Sequence, residues 1–427
     1  MNAGSNNNRS PYLIAITGTK GKTSLARLLS YLFTTAGEYT LRVDTDGHFV
    51  NDQPHSTSKD SRRLYGLLPA TSPGRYLYEL RGHDNAVAVL EVSISSGGTA
   101  GLGYLWHHIG VLTNVYEDHI GRSISTPAQL AALKAKLIFS RIKPGGTAVF
   151  NADDRRVVRN LPQVPAKLGV TLLPVGLTFQ NFGLDHHLAA GGRAVTRQGD
   201  MIGLLTRRGF NPHLNVAAIP WTFGGFYEPS VYTLMLAYAV LSARAGSSAP
   251  LAYLAAIQKY RLPETGGRLI KLSNTSSGVT VILDLAHEAH SLQHVARLAA
   301  KLARGKTIGI IRLNPDRTDA LIIATGRRLA NAFDVVIVYD KLDNIRRRKF
   351  VVKRWPLVRR SGEVATLLSH SIRQHQKNPH RVYKVIAEEK AIQKASRIAK
   401  PGDVIVHIVN DDHAQSLAYA KQYLTAV

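Results

Sequence analysis

The chain has 427 residues and carries a net charge of +25, from 54 Lys and Arg against 29 Asp and Glu, with no cysteine. Hydrophobic residues make up 44%, which suits folded domains; the length calls for two or three of them, and no run of about 18 apolar residues is present to cross a bilayer as a helix. The missing cysteines exclude disulfides, thiolate zinc sites and cysteine nucleophiles.

The opening stretch, residues 1–11, is rich in Asn and Ser and lacks the apolar centre of a signal peptide. It is expected to be a disordered tail, and a cytoplasmic protein is the default expectation. Tyr12–Ile16 is an apolar run that predicts a buried strand. Gly18 and Gly21 interrupt the run, and Leu25, Leu28, Leu29 and Leu32 then recur at helical spacing. A strand, a glycine turn and a helix opening at Gly21-Lys22-Thr23 form the geometry that cradles phosphate. Backbone N–H groups point at the anion, Lys22 adds a mobile positive charge, and Thr23 can ligate Mg²⁺. The strict G-x-x-x-x-G-K-[ST] pattern asks for glycine at position 16, where Ile16 stands, so the loop is the shorter T-G-T-K-G-K-T. A turn with no ligand is the plain alternative. Lysine beside threonine at such a helix start is rarely needed for folding alone, so the stretch reads as a nucleoside triphosphate site.

Residues Tyr39–Pro73 are polar and turn-rich without a clear period, and read as a lid or a surface excursion. Ala86–Glu91 predicts a second buried strand ending in a carboxylate, and Ile109–Asn114 a third, followed by Asp118 and His119. Polar residues at strand C-termini are where ligands bind in open parallel sheets. Taken singly, Glu91 reads equally as a capping or surface acid, and His119 as a satisfied polar residue. Together, beside a phosphate loop, they read as Mg²⁺ ligands. Thr126 and Pro127 open a helix with Leu130, Leu133, Leu137 and Ile138 on its apolar face; Lys134 beside that stripe is, without more context, a snorkelling surface lysine. Thr147–Phe150 predicts a strand ending in Asn151-Ala152-Asp153-Asp154, the region Leu161–Gly209 an antiparallel patch, and Val231–Ala245 and Leu251–Tyr260 helices.

A boundary is expected at Leu262–Gly267. Beyond it, strands are predicted at Val279–Leu283, Thr307–Ile311, Asp334–Tyr339 and Asp403–Val409, and helices at His290–Leu302, Asp319–Ala332 and Ala387–Ala399. The fold class is therefore α/β: a P-loop domain over 12–261 with a mostly parallel, doubly wound sheet and a smaller antiparallel patch, then a Rossmann-like α/β domain over 262–427. Positions 341–400 hold 17 Lys and Arg against 4 Asp and Glu, densest at Arg346–Lys349, Lys353-Arg354 and Arg359-Arg360. This is either a solvated basic face or a surface for anions. Aromatics are not interleaved as a row of stacking platforms would require, since Phe350 and Trp355 alone fall between these clusters, which argues against nucleic acid.

In order along the chain, these motifs resemble those of the Mur ligase superfamily, ATP-dependent enzymes that join an amine to a carboxylate. Thr17–Ser24 is similar to its T-G-T-N-G-K-T-[ST] loop, with Lys20 at the Asn position. Glu91-Val92-Ser93 resembles its E-V-S segment, and Thr113–Ile120 its T-N-x-x-x-D-H-L. Lys134 matches the lysine that the family carbamylates, Asn151–Asp154 its N-A-D-D turn, Gly267-Arg268 its phosphate-contacting G-R, and Asp284–His287 its D-Y-A-H. Of the family's H-N-x-x-N, Asn215 alone is in register, and Glu288 replaces the Asn after D-Y-A-H. The likeness is greatest to the Mur-ligase-like C-terminal half of cyanophycin synthetases, in His119-Ile120-Gly121, Asn314–Asp319, Pro401–Val404 and Asp411-Asp412. The ATP-grasp half of those enzymes and the uridine-binding domain of the peptidoglycan ligases have no counterpart, so a partner chain supplying such a domain is one expectation.

The resemblance implies an ADP-forming ligase with ATP and Mg²⁺ as cofactors, in which a carboxylate is activated as an acyl phosphate and attacked by an amine. Gly18, Thr19, Lys20, Gly21, Lys22, Thr23, Ser24, Asn215, Arg268, Asp284 and His287 would bind ATP. Thr23, Glu91, His119 and Lys134 (if carbamylated) would hold metal, and Lys22, Lys134, His119 and Arg268 would act in catalysis. Asn114, Asp316, Arg317 and Asp319 would meet the substrates: an amino acid, for which the Asp side chains suit a basic one, and an anionic peptide or polycarboxylate. Closure of the two domains about residue 262 is expected. The alternatives are a cell-wall precursor ligase and, from another class, a non-catalytic basic scaffold that binds nucleotide or nucleic acid.

Overall fold

The structure, a computed structural model, describes residues 10–97, 101–117, 124–246, 249–262, 269–273, 277–341 and 359–424. His119 and Arg268 lie outside the described residues, as do residues 1–9 of the expected tail and the basic positions 346–349 and 353–354. The chain divides into two compact units after Tyr260.

Eleven strands among the described residues of the first unit form one sheet: β1 (Tyr12–Thr17), β2 (Thr40–Val43), β3 (Gly47–Val50), β4 (Gln53–Thr57), β5 (Val87–Glu91), β6 (His107–Leu112), β7 (Ile142–Asn151), β8 (Thr171–Val175), β9 (Ala194–Gln198), β10 (Met201–Thr206) and β11 (Gly209–Asn215). Their order is β11-β10-β9-β8-β7-β6-β1-β5-β2-β3-β4. The strands from β2 to β9 across the centre pair in parallel, and β2-β3-β4 and β9-β10-β11 add antiparallel margins. β1 lies between β5 and β6 and is covered on both faces, so Leu13–Ile16 form a continuous apolar run instead of an alternating one.

The helix Lys22–Thr35 follows the first strand and buries Leu25, Leu28, Leu29, Leu32 and Phe33. That three-and-four spacing puts them on one stripe, and each such side chain contributes about 1.5–3 kcal/mol on burial. The helix Pro127–Phe139 begins with proline in its first turn, and the Thr126 hydroxyl accepts the Gln129 N–H at 3.1 Å. It packs Leu130, Ala131, Leu137, Ile138 and Phe139 into the same core as Ala15, Leu112 and Phe150.

Two readings of the sequence are corrected here. Residues Tyr39–Pro73 are not a lid or surface excursion: they supply β2, β3, β4 and the helix Ser58–Tyr65 to one margin of the sheet. Arg42 hides the apolar pattern because it sits buried inside β2, its guanidinium over the Phe49 ring at 3.8 Å and 2.8 Å from Asp52. In Leu161–Gly209, β8 is parallel to β7 and to β9, and antiparallel pairing begins only beyond β9.

The second unit has a sheet ordered β12-β13-β17-β14-β15-β16, from β12 (Ile270–Ser273), β13 (Thr280–Asp284), β14 (Thr307–Ile311), β15 (Val335–Val338), β16 (Val382–Lys384) and β17 (Val404–Ile408). β12 is antiparallel to β13 and the other pairs are parallel. Helices Ala289–Leu302, Asp319–Leu329, Glu363–His375, Glu388–Ile398 and His413–Leu424 accompany it. Among the described residues no helix is long and apolar enough to cross a membrane.

Candidate active site

Gly18 has φ +145°, and a Cβ there would stand 2.0 Å from the Thr113 hydroxyl oxygen. Only glycine lets the loop after β1 lie against the end of β6. The contact is then fastened by hydrogen bonds. Thr113 Oγ1 donates to the Lys20 carbonyl at 2.7 Å, and the Asn114 side chain accepts the Lys20 N–H at 2.9 Å while donating to its carbonyl at 3.1 Å. The Thr19 N–H donates to the Asn114 carbonyl at 2.8 Å, and the Thr19 hydroxyl accepts the Tyr116 N–H at 3.0 Å. Asn114, which the motif suggests as a substrate contact, is thus engaged on both sides of its amide with the loop.

Gly21, at φ +83°, precedes the helix Lys22–Thr35, which carries no side-chain cap and no acid in its first turn. The helices Ser58–Tyr65, Pro127–Phe139, Ala289–Leu302 and Asp319–Leu329 are each capped by a side chain. Leu25 N is the first to bond back, to the Gly21 carbonyl at 2.9 Å. The uncapped first turn and the positive end of the helix dipole favour an anion at this end of the helix.

Glu91 closes β5 and is 2% exposed. Its carboxylate accepts the Thr23 hydroxyl at 2.7 Å and the Thr45 hydroxyl at 2.8 Å, and the Lys22 ammonium lies 3.8 Å away. Lys22 also donates to the Thr19 carbonyl at 3.2 Å. Adjacent oxygens on an octahedral Mg²⁺ stand about 2.9 Å apart, given bonds of about 2.0–2.1 Å. The Thr23–Glu91 spacing fits such an ion. Burial raises the pKa of Asp44, beside Thr45, to about 6, although Arg42 at 3.1 Å opposes the shift. Lys134 is 3% exposed, and its amine donates to the Gly18 carbonyl at 2.8 Å. It is a buried lysine behind the loop, not a snorkelling one.

Ser24 lies in the first turn of the uncapped helix. The Asn215 side chain accepts the Ala217 N–H at 3.0 Å and caps a single turn at the end of β11. In the N-A-D-D turn, Asp153 accepts the Thr178 and Phe179 N–H groups, and Asp154 accepts Val115 and Arg156 N–H groups, so both carboxylates bind loops together.

In the second unit, Asp284 ends β13 and accepts the Leu269 and Ala286 N–H groups at 3.0 and 2.8 Å; His287 Nδ1 is 2.9 Å from the Leu285 carbonyl. Glu288, where the family has Asn, caps the helix Ala289–Leu302. The loop Asn314–Asp319 follows β14. Asp319 pairs with Arg359 at 2.5 Å, and Arg317, 4% exposed, lies 3.9 Å from Asp316.

Sequence reasoning missed three participants. Thr45 reaches Glu91 only because β2 pairs with β5. Arg312, 1% exposed, donates to the Val409 carbonyl and to Asn314, and Lys341 bridges Asn314 at 2.9 Å and Asp411 at 2.8 Å. Burial lowers the Lys341 pKa, with Arg312 adding to the effect and Asp411 opposing it. The polar residues just after β14 and β17 were the available signal for this pair.

The model of the Mur ligase middle domain matches residues 16–176, and that of the Mur ligase, glutamate ligase domain matches residues 267–408. Cyanophycin synthetase from Trichormus variabilis is 26% identical over 407 residues, 92% of this chain and 40% of its own. The UDP-N-acetylmuramoyl-L-alanyl-D-glutamate–2,6-diaminopimelate ligase of Zymomonas mobilis is 26% identical over 340 residues, covering 77% of this chain and 63% of that one. The chain thus spans about two fifths of the length of the cyanophycin synthetases it matches. Among solved structures, a Mycobacterium tuberculosis folylpolyglutamate synthase superposes with a TM-score of 0.64 at 18% identity, over 98% of this chain and 92% of that one. The two domain models in order, over most of the chain and on this two-sheet fold, make the protein a member of the Mur ligase superfamily.

Proposed function

We propose that the protein is an ATP-dependent, ADP-forming ligase that couples an amino acid amine to a carboxylate of an acidic peptide or other polycarboxylate. The observation that carries this reading is the meeting of Lys22, Thr23 and Glu91 at the uncapped start of the helix Lys22–Thr35. Magnesium, when bound, would supply positive charge that offsets the repulsion between the phosphates and the incoming carboxylate. Thr23 and Glu91 would hold it; His119 and carbamylated Lys134 are assigned to a second ion on the family resemblance. The loop amides and Lys22 hold the phosphates and neutralise charge that builds as the γ-phosphoryl group passes to the carboxylate. The amine then attacks the acyl phosphate, forming the amide and releasing phosphate. Asp284 and His287 are assigned to ribose and phosphate, Asn114 to orienting the loop toward the acceptor, and the loop Asn314–Asp319 to the amino acid.

The acceptor class rests on the charge of +25, which draws polyanions, and on the named cyanophycin synthetases. A partner chain that supplies further acceptor contacts, and a cytoplasmic setting in which ATP is available, belong to the same proposal. The coverage by the diaminopimelate ligase favours a cell-wall precursor as the second acceptor class. A screen of amino acids against acidic peptides and UDP-linked peptides, read by phosphate release and product mass, tests both. A mass increase on an acidic peptide supports the first reading. An increase on the UDP-linked acceptor supports the second, and none on either overturns the acceptor assignment.

A further inference from the structure

At the margin of the first unit, away from the phosphate loop's own ligands, two imidazoles and a carboxylate converge: His48 on β3, His55 on β4, and Glu79 in the turn-like segment Pro73–Leu80. One ligand atom from each lies within 4.8 Å of the other two. His48 Nε2 is 3.3 Å from Glu79 Oε1, and His55 Nδ1 is 3.9 Å from the same oxygen. These separations are longer than good hydrogen bonds, which run about 2.7–3.2 Å for N–H to oxygen. They bracket what a shared tetrahedral ion demands: bonds of about 2.0–2.2 Å set neighbouring ligand atoms about 3.3–3.5 Å apart.

The His48 ring is held for this task. Its Nδ1 is 2.6 Å from the Ser56 hydroxyl, which leaves Nε2 directed at Glu79, and Tyr76 stacks on the ring at 4.5 Å. A fixed partner on the far nitrogen is the usual support of a ligating histidine. Imidazole and carboxylate together suit a borderline ion more than Mg²⁺, which takes oxygen ligands.

We propose that His48, His55 and Glu79 bind one Zn²⁺ ion, with a fourth position left to water because His55 is exposed. The ion would tie together β3, β4 and Pro73–Leu80. It would thereby fasten the turn Asp44–Gly47, whose Thr45 holds Glu91. The site does not depend on the ligase assignment.

The test is Zn²⁺ binding by the metal-free full chain in millimolar Mg²⁺, which occupies oxygen sites, with unfolding temperature as a second reading. One Zn²⁺ per chain is expected, with a rise in unfolding temperature. His55→Ala and Glu79→Gln should each weaken binding by at least about tenfold and remove the rise, while Glu91→Gln should leave both. His55 is exposed on an edge strand, so its variant should keep the metal-free unfolding temperature. No Zn²⁺ binding in Mg²⁺, binding untouched by His55→Ala, or binding lost in Glu91→Gln would each overturn the assignment.

Discussion

The Glu91 carboxylate accepts the Thr23 hydroxyl at 2.7 Å, joining the end of a parallel strand to the first turn of the neighbouring helix. The two oxygens already stand at the spacing of adjacent ligands on magnesium. Glu91→Gln and Thr23→Val should therefore fold normally but lose turnover by about 10²–10³, or about 2.7–4 kcal/mol of transition-state stabilisation. Activity of Glu91→Gln should be partly recovered by raising Mg²⁺. The check is a magnesium titration of phosphate release for both variants.

Lys134 is fixed by its bond to the Gly18 carbonyl, so its side chain reports directly on the phosphate loop. Lys134→Gln keeps a donor of similar reach and should preserve the unfolding midpoint while abolishing most turnover. If the lysine acts as its carbamate, short-chain carboxylic acids should rescue a Lys134→Ala variant. Intact-protein mass and rescue kinetics separate the two roles.

The helix carrying Lys134 is also tied to the sheet by His107, whose Nε2–H donates to the Ile138 carbonyl at 2.9 Å. Burial lowers the His107 pKa to about 3, and its Nδ1 is buried without a hydrogen bond. The folded pKa is below the unfolded value of about 6.5, so the unfolded chain binds the proton first as pH falls. This histidine has no effect on the pH profile above about 6.5, and stability drops between about 6.5 and 3. At pH 4.5 the loss amounts to about 2–3 kcal/mol. His107→Gln should flatten this part of the acid branch, which urea midpoints at pH 7 and 4.5 will show.

In the second unit, Glu388 is 2% exposed and accepts bonds from His407 at 2.9 Å and Ser416 at 2.6 Å. Burial raises its pKa, but His407 and Ser416 outweigh burial and the net shift is downward. Glu388→Ala strands His407 and should cost about 3–5 kcal/mol. Glu388→Gln retains an acceptor for both neighbours and should cost less. Equilibrium unfolding of the two variants gives the ranking.

The parts of the fold legible in the sequence are those whose pattern is local. Thr307–Ile311 is read to the residue because all five positions are buried and a glycine and lysine bound the run. The helix after Gly21 is read from its leucine stripe. The hairpin of β3 and β4 is not, because its strands are four and five residues long, His48 interrupts the first and the second, Gln53–Thr57, is polar but for Pro54. Thr45 was invisible because its partner Glu91 lies 46 residues away in the chain and is brought beside it by the pairing of β2 with β5. Helix Glu363–His375 was hidden by the basic run before it, although Val364, Ala365, Leu368 and Ile372 form its buried stripe. The positions of Glu91 at a strand end and of Lys22 at a helix start were legible because strand ends and glycine turns carry their own residue signatures.

The central claim is that a triphosphate sits at the start of the helix Lys22–Thr35 and loses its terminal phosphoryl group to a carboxylate. Nucleotide products from wild type and Lys22→Ala, assayed with acceptor and amino acid together and singly, test it most directly. The account predicts ADP and phosphate from wild type only when both substrates are present, and a loss of about 10²–10³ in Lys22→Ala. AMP and pyrophosphate, or full activity in Lys22→Ala, would contradict it.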